Sequence, residues 1–129
     1  MRMLLTIALV LAWNVTLAGD LRVLLINGTR TDIIVETKKD APVIELLPGE
    51  AKIVSPRHLQ WLRLGQESYK YNVVSLEQWI ARHPGTLVLQ AHTDGKLYVL
   101  PIGTDAVQTT LPAQPRGFPV KPSKKVDLT

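Results

Sequence analysis

Turn signals cut residues 21–102 into short apolar pieces, and their spacing constrains the fold more than any other feature of the chain. Asn27-Gly28, Pro48-Gly49, Gly65-Gln66 and Asp94-Gly95 each separate two runs rich in aliphatic or aromatic residues. Runs this short are strand-sized, and Gly, Pro, Asn and Asp supply the backbone geometry that reversals need. About seven to nine such strands, spaced by about 8–12 residues, point to an all-β fold. An antiparallel β-sandwich is expected, with a small antiparallel β-barrel as the alternative.

The turns also set registers. Residues 21–26 and 32–37 flank the segment 27–31. A tight Asn27-Gly28 hairpin would place Leu25 opposite Arg30, whereas a five-residue loop pairs Leu25 with Ile33, Leu24 with Ile34 and Val23 with Val35. Register follows the buried pattern, so the longer loop is expected if these strands pair. Runs 43–47 and 51–55 flank Pro48-Gly49, a type II arrangement. A hairpin there would match Glu45 with Lys52, Ile44 with Ile53 and Val43 with Val54. Type II turns twist poorly for tight hairpins, so a corner between two sheets fits equally.

Gly65-Gln66 suits a type II′ hairpin that sets Leu62 opposite Tyr69, Gln60 opposite Tyr71 and Trp61 beside Lys70. Asp94-Gly95, read as a two-residue turn, pairs Leu87–Ile102, Leu89–Leu100 and Ala91–Tyr98 on one face. The other face then carries Val88–Pro101, Gln90–Val99 and His92–Leu97. Pro101 cannot donate to a ladder and belongs at an edge or a strand end. One segment departs from the strand pattern. Ser75 with Gln78 forms a capping box, Leu76, Trp79 and Ile80 share a helical face, and His83-Pro84-Gly85 stops the run, which predicts one short helix over 76–82. This layout, with its Pro48-Gly49-Glu50 corner, resembles many immunoglobulin-like exported domains. The resemblance implies an immunoglobulin-like sandwich and carries no function.

Ahead of the strands, Arg2, the apolar run 3–12 and the small residues Thr16 and Ala18 match a cleavable export signal over residues 1–18. Its apolar stretch of about 10–15 residues is shorter than the roughly 20 that span a bilayer. Asp20 stands where a lipoprotein needs Cys, and the chain contains no Cys, so no lipid anchor is expected. Small domains of animal secretory proteins usually rely on disulfides. A cysteine-free exported chain therefore fits the bacterial periplasm or cell envelope. Three parts are expected: the signal 1–18, a β-sandwich domain 19–110 and a basic, Pro-rich extended tail 111–129. Cleavage leaves 14 basic and 11 acidic side chains, a net charge of +3. That excess is too mild for a dedicated nucleic-acid binder.

Catalytic chemistry finds no motif. Ser55, Ser68, Ser75 and Ser123 lie outside any Gly-x-Ser-x-Gly elbow, and there is no thiol. His58, His83 and His92 lack ligand-pair spacing, and a blue-copper site needs the missing Cys. Only convergence of the three histidines in space would make a metal centre. Gly49, Gly65, Gly85 and Gly95 all sit where turns need them, and no Gly-rich loop opens a helix after a strand, so no phosphate loop is read. No catalytic residue, metal or cofactor is expected.

The tail is the part without a structural explanation. Pro112, Pro115, Pro119 and Pro122 give two PxxP spacings that favour polyproline II, amid Arg116, Lys121, Lys124 and Lys125. Two readings fit it: a solvated flexible coil, or a segment lying along the domain or a partner and anchored by Phe118. Among strand aromatics, Tyr69 and Tyr98 share faces with Leu62 and Ala91 and read as core. Trp61 shares its face with Arg63 and Lys70 and is the one expected to be exposed. The functional expectation is an exported, non-catalytic envelope protein that binds an envelope protein or itself through an edge strand and the tail. Its contact residues would be Trp61, Arg116, Phe118, Lys121, Lys124 and Lys125. A small-ligand or carbohydrate-binding module on the strand aromatics is the alternative, and an envelope enzyme is the third reading.

Overall fold

The computed structural model describes residues 22–36, 43–83 and 85–128. The expected export signal and Thr37, the end of the second predicted strand, lie outside them. Nine strands, one α-helix and one 3-10 turn occur among the described residues: β1 (Val23–Asn27), β2 (Ile33–Glu36), β3 (Ile44–Leu46), β4 (Ala51–Val54), the 3-10 turn Pro56–Gln60, β5 (Trp61–Leu64), β6 (Glu67–Lys70), α1 (Val73–Arg82), β7 (Leu87–Ala91), β8 (Leu97–Leu100) and β9 (Lys124–Asp127). They form a four-stranded sheet in the order β4-β1-β7-β8 and a five-stranded sheet in the order β3-β2-β5-β6-β9. Inward side chains of both sheets meet in one core. Val23, Leu25, Leu87 and Leu89 come from the first, Ile33, Val35, Leu62 and Tyr69 from the second, and Leu76 and Ile80 from α1. The described residues are therefore mostly β, with two sheets and one α-helix, an arrangement compatible with an all-β sandwich. Neither sheet closes into a barrel.

β1 and β2 do not pair. β1 lies in the four-stranded sheet, antiparallel to β4 and parallel to β7, while β2 pairs with β3 and β5. The reason lies in Asn27, which is fully buried. Its Nδ2 donates to Thr31 O (2.8 Å) and Leu46 O (3.0 Å), and its Oδ1 accepts from Thr29 N (2.9 Å) and Thr29 Oγ1 (2.6 Å). These bonds satisfy a chain that crosses from one sheet to the other instead of reversing within one. Gly28 serves close approach: a Cβ there would stand 2.8 Å from Ala91 O and 2.9 Å from Gln90 Cγ.

Pro48-Gly49 makes the corner. β3 and β4 fall in different sheets, and the hairpin pairing does not form. Glu50 N donates to Leu47 O (2.9 Å) across the turn, with Gly49 at φ +80° as a type II turn requires. Asn27 N donates to Glu50 O and Gly49 N to Asn27 O, both at 2.9 Å, which ties the corner to the end of β1.

The Gly65-Gln66 hairpin has the expected register, with Trp61 opposite Lys70 and Leu62 opposite Tyr69. The β7–β8 hairpin is one residue off. Gly95, at φ +80°, donates its N–H to His92 O (2.9 Å), so Thr93 to Gly95 form a three-residue loop. A type I turn followed by a left-handed glycine is the common three-residue solution. Leu89 therefore pairs with Val99 and Ala91 with Leu97. A one-residue slip exchanges the faces of the whole strand. Leu97 joins the core, while Leu100 faces outward among Ile26 and Val88. Pro101 follows the last residue of β8, an edge strand, as expected of a residue without an N–H.

The helix begins earlier than predicted. Asn72 caps it, its Oδ1 accepting from Val74 N (3.1 Å) and Ser75 N (3.4 Å). Ser75 therefore lies inside the first turn and is not the cap. Asn is at least as good an N-cap as Ser, and Val73 and Val74 extend the helix despite their β-branching.

Candidate functional site

The tail is a fixed part of the domain. Gln114 lies along β8, its Oε1 accepting from Val99 N (2.7 Å) and its Nε2 donating to Val99 O (3.0 Å). A primary amide offers an acceptor and a donor side by side, the same pair that a neighbouring strand residue would offer. Two residues earlier on β8, Leu97 exchanges both backbone bonds with Val120 (3.0 and 2.8 Å). Phe118 stands edge-on to Trp79 of α1 with centroids 5.1 Å apart. The chain then crosses to the other sheet, where Ser123 N donates to Lys70 O (2.7 Å) and β9 pairs with β6 along all four of its residues. The flexible-coil reading of the tail does not hold; residues 112–128 clasp one edge of each sheet.

This path relocates the expected contact residues. Phe118 is a half-buried anchor on its own domain. Lys125 pairs with Glu67 (3.1 Å) and lies 6.0 Å over the Tyr69 ring, while Arg116 and Lys121 are exposed. Tyr69 donates to the Glu67 carboxylate. That bond, followed by the one from Lys125, holds the Glu67 carboxyl below the ordinary range. Burial first, then the bond to Glu67, pushes the Tyr69 hydroxyl up to about 12. Tyr71 donates to Gly95 O (2.5 Å), and burial raises its hydroxyl as well. Both tyrosines are core residues. Tyr98 is not: the register slip turns it outward, against His92 (4.7 Å, edge-on) and within 3.3 Å of Asp94 Oδ2.

Trp61 and Lys124 do come together. Glu36, Trp61, Lys70 and Lys124 form one row across β2, β5, β6 and β9. Glu45, Ile34, Arg63, Ser68 and Val126 form the next. Because Val35, Leu62 and Tyr69 point into the core, the strand alternation turns both rows outward. Trp61 is half-buried with the Lys70 ammonium 5.9 Å from its ring centroid, and Arg63 and Lys124 are exposed. Sequence alone placed Trp61 with Arg63 and Lys70, since a two-residue turn sets that register. Lys124 joins them only through the tail's return.

The histidines take separate roles. His83 stacks on Trp79 (3.8 Å, 9° between planes), and its Nδ1 lies 2.8 Å from Trp79 O. His92 Nε2 stands 2.9 Å from Gln90 Nε2, and burial lowers its pKa. His58 Nδ1 is buried without a hydrogen-bond partner. Among the described residues no group of three or more His, Cys, Asp or Glu side chains is arranged to hold a metal ion. A cavity of about 230 Å³ beside His83 is lined by Trp79, Leu87, Val99 and Ile102 with Thr86 at its wall. No helix of the described residues is long and apolar enough to cross a membrane. The chain matches no protein-family model, no curated protein and no solved structure.

Proposed function

We propose that this is an exported, non-catalytic binding protein of the bacterial envelope, which engages another envelope protein along the side of the domain formed by β3 and β4. One observation carries the reading. The tail occupies the edges of β8 and β6, whereas β3 and β4 have no strand on their outer edges among the described residues. Large apolar side chains stand in solvent at both edges: Val43 and Leu47, which flank β3, are 64% and 51% exposed, and Ile53 on β4 is 53% exposed. Exposed apolar groups on and beside unpaired edges suit capture of an extended segment of a partner, backbone to backbone with side-chain anchors. Lys52 guards the edge, donating to Glu45 O (2.7 Å) and pairing with Glu50 (3.3 Å), which blunts indiscriminate strand addition.

In this reading the tail acts as a clasp and leaves the docking to the opposite side. The immunoglobulin-like assignment belongs to the same proposal, supported by the two-sheet layout and the Pro48-Gly49-Glu50 corner. The test is affinity capture from the native envelope fraction with the wild-type chain and with a Leu47→Asp, Ile53→Lys double variant. The double variant is expected to lose partners that an Arg116→Ala, Lys121→Ala variant keeps. Recovery of the same partners by both variants would sink the reading.

A further inference from the structure

We infer that the outer face of the five-stranded sheet binds an anionic polysaccharide, with a sugar ring on Trp61 and the ring carboxylates held by Lys70, Lys124 and Arg63. The cations of this face lie on β5, β6 and β9, toward the end of the sheet opposite β3, and the inference does not depend on a protein partner at β3 and β4.

The geometry is that of a flat platform. Neighbouring strands lie about 4.8 Å apart, so Trp61, Lys70 and Lys124 span roughly 10 Å across β5, β6 and β9. That places the aromatic and the outer cation under successive parts of one extended polymer. In the second row the neighbours of Arg63 toward β9 are short or aliphatic, with Ser68 beside it and Val126 beyond. A sugar ring offers axial C–H groups that lie against an indole face, and a carboxylate on the same ring needs a cation one strand away.

The charges are free to act. Arg63, Lys70 and Lys124 form no salt bridge with a described carboxylate, unlike Lys52 and Lys125. Lys70 rests over Trp61 at the long end of cation–π range, an exposed contact of about 0.5–1 kcal/mol. An acidic ring that takes the indole face releases that ammonium and pairs with it, so both groups keep a partner. Glu36 and Glu45 stand at the β2–β3 side of the rows and repel an anion there, which sets the polymer's charge toward β6 and β9. Three cations are too few for a nucleic acid at physiological salt. The apolar members of the face, Ile34 and Val126, are half-buried and project little for insertion into a bilayer.

The experiment is calorimetric titration of the mature chain at low ionic strength with polygalacturonate, with its fully methyl-esterified counterpart and with phosphatidylglycerol vesicles. Binding is expected for the charged polymer alone, and it should weaken as salt rises. Trp61→Ala and a Lys70→Ala, Lys124→Ala pair should each weaken it about tenfold. Trp61→Phe, which preserves a ring, should cost less, and Glu36→Gln should tighten binding. Lys52→Ala and Ile53→Lys, both away from the rows, should change nothing. Equal binding of the esterified polymer, binding of vesicles only, no binding at all, or wild-type affinity in the folded Lys70→Ala, Lys124→Ala variant would each overturn the inference.

Discussion

In the four-stranded sheet, β1 and β7 present apolar groups on both faces: Val23, Leu25, Leu87 and Leu89 inward, Ile26 and Val88 outward. In the five-stranded sheet, inward Ile33, Val35, Leu62 and Tyr69 alternate with outward Ile34, Trp61, Arg63 and Lys70. The contrast follows from pairing. β1 and β7 run parallel at the centre of their sheet, and parallel pairs are normally covered on both sides. The outer cover here comes from residues 108–111, between β8 and the clasping residues 112–128. Leu111 packs on Ile26, Val88 and Leu100. Gln108 is held by the buried amide of Gln90, whose Oε1 accepts from Gln108 N (2.8 Å) and whose Nε2 donates to Gln108 O (3.0 Å). No second hydrophobic cluster among the described residues lies over the outer face of the antiparallel sheet, where Trp61 and Ile34 are half-buried and Ser68 is buried.

The sharpest way to break this contrast is a matched pair of truncations. Ile26→Ala, on a covered outer face, should destabilise the protein by about 2–5 kcal/mol, as a core truncation does. Ile34→Ala, on the uncovered outer face, should cost less than about 1 kcal/mol. Urea unfolding measures both, and similar losses would mean that the two outer faces are equally buried.

A smaller effect separates the two glutamine clamps. Gln90→Leu should cost about 1–3 kcal/mol, because it removes a fully buried amide together with its two bonds to the Gln108 backbone. Gln114→Leu should cost about 0.5–1.5 kcal/mol, since Gln114 is only half-buried where Gln90 is fully buried. Hydrogen exchange at the Gln108 and Val99 amides distinguishes local release from global unfolding. Gln114→Leu with the larger loss would reverse the ranking of the two clamps.

The smallest effects are in pH. Burial lowers the pKa of His92 from its ordinary 6.5, and the neutral ring accepts from the Gln90 amide. A depressed pKa means that the unfolded chain binds the proton first. Stability from this group is therefore complete above pH 6.5 and is lost as pH falls through the lowered folded value. Glu67, in the five-stranded sheet, is lowered from 4.5 by Tyr69 and Lys125, so its support is complete above pH 4.5 and fades only below it. Thermal melts between pH 7.5 and 5 should show a decline that His92→Gln flattens and that Glu67→Gln leaves in place. An unchanged slope in His92→Gln would remove His92 as the cause.

Short-range features were legible wherever a turn fixed its neighbours. Gly65-Gln66 set Trp61 beside Lys70 because two residues with one positive φ leave a single register. Pro48-Gly49 fitted a hairpin and a corner equally, and the placing of β3 and β4 in different sheets decided for the corner. Asp94-Gly95 misled by one residue, because Gly in the left-handed region serves a three-residue loop as well as a two-residue one. The cap at Asn72 was missed because Ser75 with Gln78 matched a capping box three residues further in.

The candidate platform was legible only in part. Trp61, Arg63 and Lys70 lie within ten residues of chain, joined by one tight turn. Lys124 comes from a strand more than fifty residues later, which no local pattern assigns to β6. For this protein, then, sequence alone determined that residues 21–102 break into short strands at turns and that Trp61 sits beside Lys70, since these depend on backbone geometry and alternation over a few residues. Tertiary structure decided the parallel β1–β7 pair, the covered face above it and the tail's return to β6. Those depend on burying both faces of one sheet and pairing otherwise open edges, demands that arise only when distant segments meet.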